Sequence, residues 1–197
     1  MTTPNTHYRL IESASQTAGP YVHIGCLPND IGLSMYGGKN LGHRLLDDAF
    51  EGERVTVEGQ VIDGAGMVLR DAMVECWQAD PNGRFPPEAA EGFYGFARSG
   101  CDDDGIWRFE TVRPGAVPFV DGRPQHPHMT LMVFARGINT GLHTRLYWPD
   151  VSVNDDPALQ RIEHRDRRRT LVARDEDGVL RFDIHLQGEG ETVFFDV

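Results

Sequence analysis

The sequence predicts an all-β protein: an antiparallel β-sandwich with long loops, an irregular N-terminal arm and one short helical region. Three observations carry that reading. Short runs alternate apolar and polar residues, most clearly Val55-Val57-Gly59-Val61 and Leu180-Phe182-Ile184-Leu186. A period of two turns one face of a strand inward and the other outward. Turn signals separate the runs, among them Asp63-Gly64-Ala65-Gly66, Asp80-Pro81-Asn82-Gly83 and Asp102-Asp103-Asp104-Gly105. A helical pattern occurs once, over 157–172. Many short strands with Gly/Asp turns and little helix indicate a sandwich or barrel.

Taken in order, residues 1–50 have no sustained period and form the arm, with Tyr21–Gly25 as a short extended piece. Such an arm orders by lying on the rest of the fold or on a partner. Residues 51–197 form the sandwich domain. The strand from Arg54 and a return strand Ala72–Gln78 flank the Asp63–Gly66 turn as a hairpin. Arg84–Gly100, with its prolines, glycines and aromatics, reads as a long ordered loop. Strands follow at Ile106–Thr111, Met129–Ala135 and Leu142–Trp148. Asp156-Pro157 then caps and opens the helical region, on the pattern Leu159, Ile162, Leu171. Leu180–Leu186 and Thr192–Asp196 complete the strands.

Composition bounds the partners. With 197 residues and 40% hydrophobic content the chain can bury one sizeable core. A net charge of −11 argues against nucleic acid, which needs a basic surface. An anionic small molecule would need a local Arg or Lys. The basic run His164–Arg169 reads as a solvated or interface-paired face. Cys26, Cys76 and Cys101 form no CxxC, so neither a disulfide framework nor a cysteine zinc site is expected. No apolar run reaches the ~20 residues of a membrane span. The N-terminus has no basic-then-apolar leader layout. The expectation is a soluble, cytoplasmic protein.

The stretch 114–136, PGAVPFVDGRPQHPHMTLMVFAR, is the expected functional face: a loop entering a rigid strand. It holds His126-Pro127-His128. A His-x-His pair on a strand points both rings the same way, but Pro127 keeps His126 in the loop. No further ligands stand out, so the pair reads as one loop histidine and one half-buried histidine.

The stretches SQTAGPYVHIG (15–25), EGQVIDGAG (58–66), VECWQADPNGRF (74–85), TVRPGAVPF (111–119), FARGIN (134–139), HTRLYW (143–148) and RFDIHLQGEGETVFF (181–195) together resemble the intradiol ring-cleaving dioxygenases. These are non-haem iron enzymes. The likeness is to the α subunits of the heteromeric members that cleave protocatechuate. It implies a β-sandwich paired with a homologous β subunit. In β subunits two tyrosines and two histidines hold Fe(III). Carried over to this chain, the tyrosine positions fall on Phe85 and Val117 and the histidine positions on His128 and Thr130. Phe and Val have no donor atom and Thr is a poor stand-in for imidazole, so the resemblance implies that iron sits on the partner and that this chain holds no metal and no catalytic group.

The resemblance further implies an α subunit that contributes pocket wall to an assembly converting protocatechuate and O2 to 3-carboxy-cis,cis-muconate. The candidate substrate-binding residues are Thr17, Gly19, Pro20 and Tyr21 in the arm, with Arg136 for the substrate carboxylate. An Arg fork matches a carboxylate geometrically. Two alternatives stand beside this one: a homomeric iron enzyme using His126 and His128, and a non-catalytic sandwich module for assembly or binding.

Overall fold

The structure, a computed structural model, describes residues 17–139 and 141–196. Two sheets face each other. The first is built on β1 (Arg54–Ile62). β4 (Ile106–Val112) runs antiparallel along one edge of β1. The other edge receives β10 (Val179–Arg181) and β11 (Ile184–His185), both parallel, with β9 (Arg174–Glu176) outside β10. The second sheet has the order β3 (Phe96–Gly100), β2 (Met73–Trp77), β7 (His128–Phe134), β8 (Leu142–Tyr147), all antiparallel. A two-stranded ribbon, β5 (Val117–Pro118) with β6 (Pro124–Gln125), stands apart.

The core lies between the sheets. Val57, Val61, Trp107 and Phe109 face Val74, Cys76, Ala97, Met129, Leu131, Val133 and Leu146, all buried. Both sides alternate as the sequence pattern requires, and burial of apolar side chains at about 25 cal/mol per Å² drives the layers together. Cys26, Cys76 and Cys101 are free thiols, and burial raises the Cys76 thiol well above its usual range.

Several expected elements differ. The Asp63–Gly66 turn is tight, with the Asp63 N–H donating to Met67 O, but it is not a hairpin between paired strands. β1 and β2 belong to opposite sheets, so the turn starts a crossing between layers. The loop expected over Arg84–Gly100 ends in β3, where Ala97 is buried and Arg98 bridges to Glu75 on β2 at 2.6 Å. Glycines at either end of that strand hid its alternation.

The strand expected over Leu180–Leu186 is split. The Asp183 carboxylate accepts the Gln60 N–H, taking a ladder position and breaking β10 from β11. Thr192–Asp196 forms only a single bridge, Phe195 to His143.

Tyr21–Gly25 is not extended. It lies in helix α1 (Pro20–Cys26), with proline in the first turn, where its fixed φ suits a helix. The helix expected over 157–172 is two 3-10 segments, Leu159–Arg161 and Arg165–Leu171. Its cap is present: Asp156 Oδ1 accepts the Ala158 and Leu159 N–H groups. Between Ile162 and Leu171 the sequence is EHRDRRRT, which offers no apolar stripe to bury, so one continuous helix gains nothing. Leu159 and Leu171 instead anchor each segment beside Tyr147 and Val193.

The arm beyond residue 40 docks on its own sandwich. Leu45 and Leu46 join the core, Leu46 bridges Phe93, and Gly42 O accepts the Arg98 N–H. Residues 1–16 lie outside the described residues. No described helix is long and apolar enough to cross a membrane.

Candidate functional site

Two loop corners meet at the mouth of the second sheet, and Asp80 fixes both. Its Oδ1 accepts the Asn82 and Arg84 N–H groups and its Oδ2 that of Ala90. Its backbone carbonyl accepts the Gly115 N–H. Burial raises the Asp80 carboxyl, but these N–H donors and the Arg84 charge outweigh it, leaving the group below its usual range. The turn and the Pro-Gly corner pack backbone to backbone. Gly83 has φ 74°, and a Cβ there would fall on Ala116 O. This joint sets where Phe85 and Val117 leave the fold. Phe85 stacks on Trp77 with centroids 5.5 Å apart, and Val117 pairs with Gln125 in the ribbon. Neither side chain presents a donor.

The histidine positions lie on the outer face of β7. In register, His128 is opposite Tyr147, and Thr130 lies between Trp77 and Arg145. His128 is buried, with Nδ1 2.7 Å from His126 O; a carbonyl only accepts, so Nδ1 carries the proton. Its ring stacks on Tyr147 at 5.3 Å. Burial, then the Arg145 charge, lowers its pKa to about 4, so the ring is neutral at pH 7. Burial pushes the Tyr147 phenol well above its usual range. Arg145 donates to Gln125 Oε1 at 2.7 Å and to Tyr147 OH at 3.2 Å.

A ferric ion does not fit these residues. Phe85 and Val117 offer nothing, Thr130 offers a hydroxyl, and a guanidinium stands opposite Thr130 on the neighbouring strand. A fixed cation there repels a second cation. His126 lies before β7; its N–H donates to Asp156 Oδ2 and its carbonyl is engaged by His128. Among the described residues no group of three or more His, Cys, Asp or Glu could hold a metal ion.

The candidate substrate-binding residues come together elsewhere. Thr17 Oγ1 accepts the Gly137 N–H at 2.7 Å, and Ala18 N–H donates to Ile138 O at 3.3 Å. The arm therefore lies against the corner that follows β7. Ala18, Gly19, Val22, His23, Asp71 and Arg136 line a cleft of about 160 Å³ there. The Arg136 side chain is 80% exposed, with only a 3.4 Å contact to Asp71. Tyr21 is 85% exposed on α1, which Pro20 opens.

This corner and the His128 face are at opposite ends of β7. A strand rises about 3.3 Å per residue, so the ends of β7 are roughly 20 Å apart. Arg136 and His128 of one chain cannot touch one small ligand. From Tyr21 onward the surface is also apolar: Ile24, Ile31, Leu33, Met35, Tyr36 and Leu41 are all exposed. Sequence reasoning missed Arg145 and Asp80. Arg145 stands in HTRLYW and Asp80 in WQADPNGRF, but only the register and the loop bonds reveal their roles.

A family model described as dioxygenase matches residues 38–188. The chain is 44% identical to the protocatechuate 3,4-dioxygenase alpha chain of Pseudomonas putida, over 95% of this chain and 97% of that one. It is 34% identical to the beta chain of the same enzyme from Burkholderia cepacia, over 80% of this chain and 78% of that one. Among solved structures, catechol 1,2-dioxygenase from Pseudomonas arvilla C-1 superposes with a TM-score of 0.57 at 21% identity, covering 73% of this chain and 55% of that one. That last likeness shows the fold.

Proposed function

The chain belongs to the intradiol dioxygenase family, and from that premise we propose that it is the iron-free α subunit of a protocatechuate 3,4-dioxygenase. The observation that carries the reading is the 44% identity to an alpha chain across nearly its whole length. The donor set agrees: Phe85, Val117 and Thr130 stand where iron-bearing chains place ligands. The substrate is protocatechuate, which with O2 becomes 3-carboxy-cis,cis-muconate. The iron and the ring-opening chemistry belong to a homologous β chain.

This chain's own work is positional. Its arm, 1–50, is fastened to its own sandwich beyond residue 40 and lies on the partner through the exposed apolar residues of 21–41. That brings Thr17, Gly19, Pro20 and Tyr21 to the rim of the partner's pocket. Arg136, held near them by the Thr17–Gly137 bond, reaches across the boundary with an exposed fork whose Nε lies 3.4 Å from Asp71. A substrate carboxylate there fixes the ring's orientation and keeps it from rotating in the pocket. The exposure of Arg136 and its distance from His128 support action on another chain. The assembly works in the cytoplasm.

The test is co-expression. The chain alone, exchanged against ferrous or ferric iron, is expected to bind none stoichiometrically and to consume no O2 with protocatechuate. Together with its β chain it is expected to give an iron-bearing complex that does both. About one iron per isolated chain would favour the homomeric reading based on His126 and His128.

A further inference from the structure

Beside β8, away from the Arg136 corner, is a cavity of about 460 Å³. Phe119, His143, Arg145, Arg161, Ile162 and Phe195 give it its character. Two guanidinium groups reach it, each laid over an aromatic wall: Arg145 over Phe195 at 5.6 Å and Arg161 over Phe119 at 4.7 Å. Among the described residues neither has a carboxylate in salt-bridge distance. Arg145 spends one nitrogen on Gln125 and Tyr147, while its Nε is buried without a partner. His143 Nδ1 is also buried without a partner.

These two nitrogens are closed off from the cavity, so what it offers a ligand is the outer edges of the Arg145 and Arg161 guanidinium groups. The cavity carries its own cationic charge in a chain of net −11. The buried Asp156 carboxylate is committed to the His126, Ala158 and Leu159 N–H groups. The exposed Asp196 carboxylate lines the cavity too.

We propose that this cavity is a second, non-catalytic binding site for a small aromatic carboxylate. The ring takes the apolar walls of Phe119, Ile162 and Phe195. The carboxylate takes the forks of Arg145 and Arg161, whose planar geometry suits it. The size lies in the range of ordinary small-ligand pockets, about 300–1,000 Å³. The site differs from the Arg136 corner, which follows the far end of β7, whereas Arg145 is opposite Thr130 near its start.

The probe is benzoate, titrated calorimetrically into the complex of this chain with its β chain. Two sites per αβ pair are expected, one on each chain. Arg161→Ala, at the exposed rim, is expected to weaken one of them by roughly tenfold or more, since a charge-assisted bond is lost. It should leave turnover of protocatechuate unchanged. Arg145→Met should act on the same site, and Arg136→Ala should not. Benzyl alcohol, which keeps the ring and lacks the anion, should bind that site at least tenfold more weakly. One benzoate per pair in the parent complex would overturn the proposal. So would a second site indifferent to Arg161→Ala. Loss of the Arg136 effect on turnover with the benzoate site intact would fault the subunit reading alone.

Discussion

His128 stands at a position the family resemblance assigns to an iron ligand, in surroundings of a different kind. It is neutral, ring-stacked and tied to the His126 carbonyl, beside a guanidinium. Its folded pKa of about 4 is below the ordinary 6.5. Between those values the unfolded chain binds more protons than the folded one. Stability therefore falls as pH drops from 6.5 toward 4 and is flat above 6.5 as far as this group is concerned. Each pKa unit is worth about 1.4 kcal/mol, so the loss approaches roughly 3 kcal/mol. Half-buried His143 adds to it in the same direction. Urea midpoints of the parent and His128→Gln across pH 4–7 check this. The variant should show a clearly shallower fall, and parallel curves would remove His128 from the account. Sequence spacing placed His128 on the strand and His126 in the loop, as the structure has them, but made His128 half-buried where its ring is in fact buried. The charge beside it was not legible, because Arg145 reaches Thr130 only through the β7–β8 register.

At the scale of elements, the joint between the turn 80–83 and the corner 114–116 holds Phe85 and Val117 in place. Gly83→Ala would force φ near +74° on a residue with a Cβ and drive that atom into Ala116 O. Strain of this kind costs about 2 kcal/mol or more. Chemical denaturation should show a loss of that size with the m-value kept. A loss under about 0.5 kcal/mol, the level of an ordinary surface change, would mean that the joint is loose. The arm makes a second expectation. Its 42–50 segment is fastened by Leu45 and Leu46, whereas 21–41 buries Leu27 but exposes Tyr21, Ile24, Ile31, Leu33, Met35, Tyr36 and Leu41. Limited proteolysis of the free chain should cut within 21–41, and the partner should protect those sites. Equal cutting in both states would speak against the interface. Alternation in β1, β4, β7 and β8 made those strands readable, since one face of each is buried. It did not show which sheet each joins, because period two carries no partner information. β3 escaped for lack of side chains on its glycines. No continuous 157–172 helix forms because, although Asp156 caps it, its middle turns have nothing apolar to bury.

At the scale of the whole molecule, the proposed function rests on a division of labour between homologous chains. In the proposed assembly one chain keeps the sandwich, carries Phe85, Val117 and Thr130 at the positions the family resemblance assigns to iron ligands, and offers the Arg136 guanidinium beyond the other end of the same strand. The sequence alone points to Phe85, Val117, Thr130 and Arg136. It did not show that Thr17 and Gly137 bond, which joins the arm to that fork. The central claim is that Arg136 reads the substrate carboxylate from across a subunit boundary. A hydrogen bond to a charged group is worth about 1.5–3 kcal/mol net. Arg136→Ala in the assembled complex should therefore lower kcat/KM for protocatechuate by roughly tenfold to somewhat over a hundredfold. If the contact serves binding alone, the loss falls mainly on KM. Iron content should not change. The decisive measurement is kcat/KM of that complex for protocatechuate and for catechol, which lacks the carboxylate. The account predicts a large loss with the first and little with the second. An equal loss with both would show that Arg136 holds the subunits together and does not contact the carboxylate.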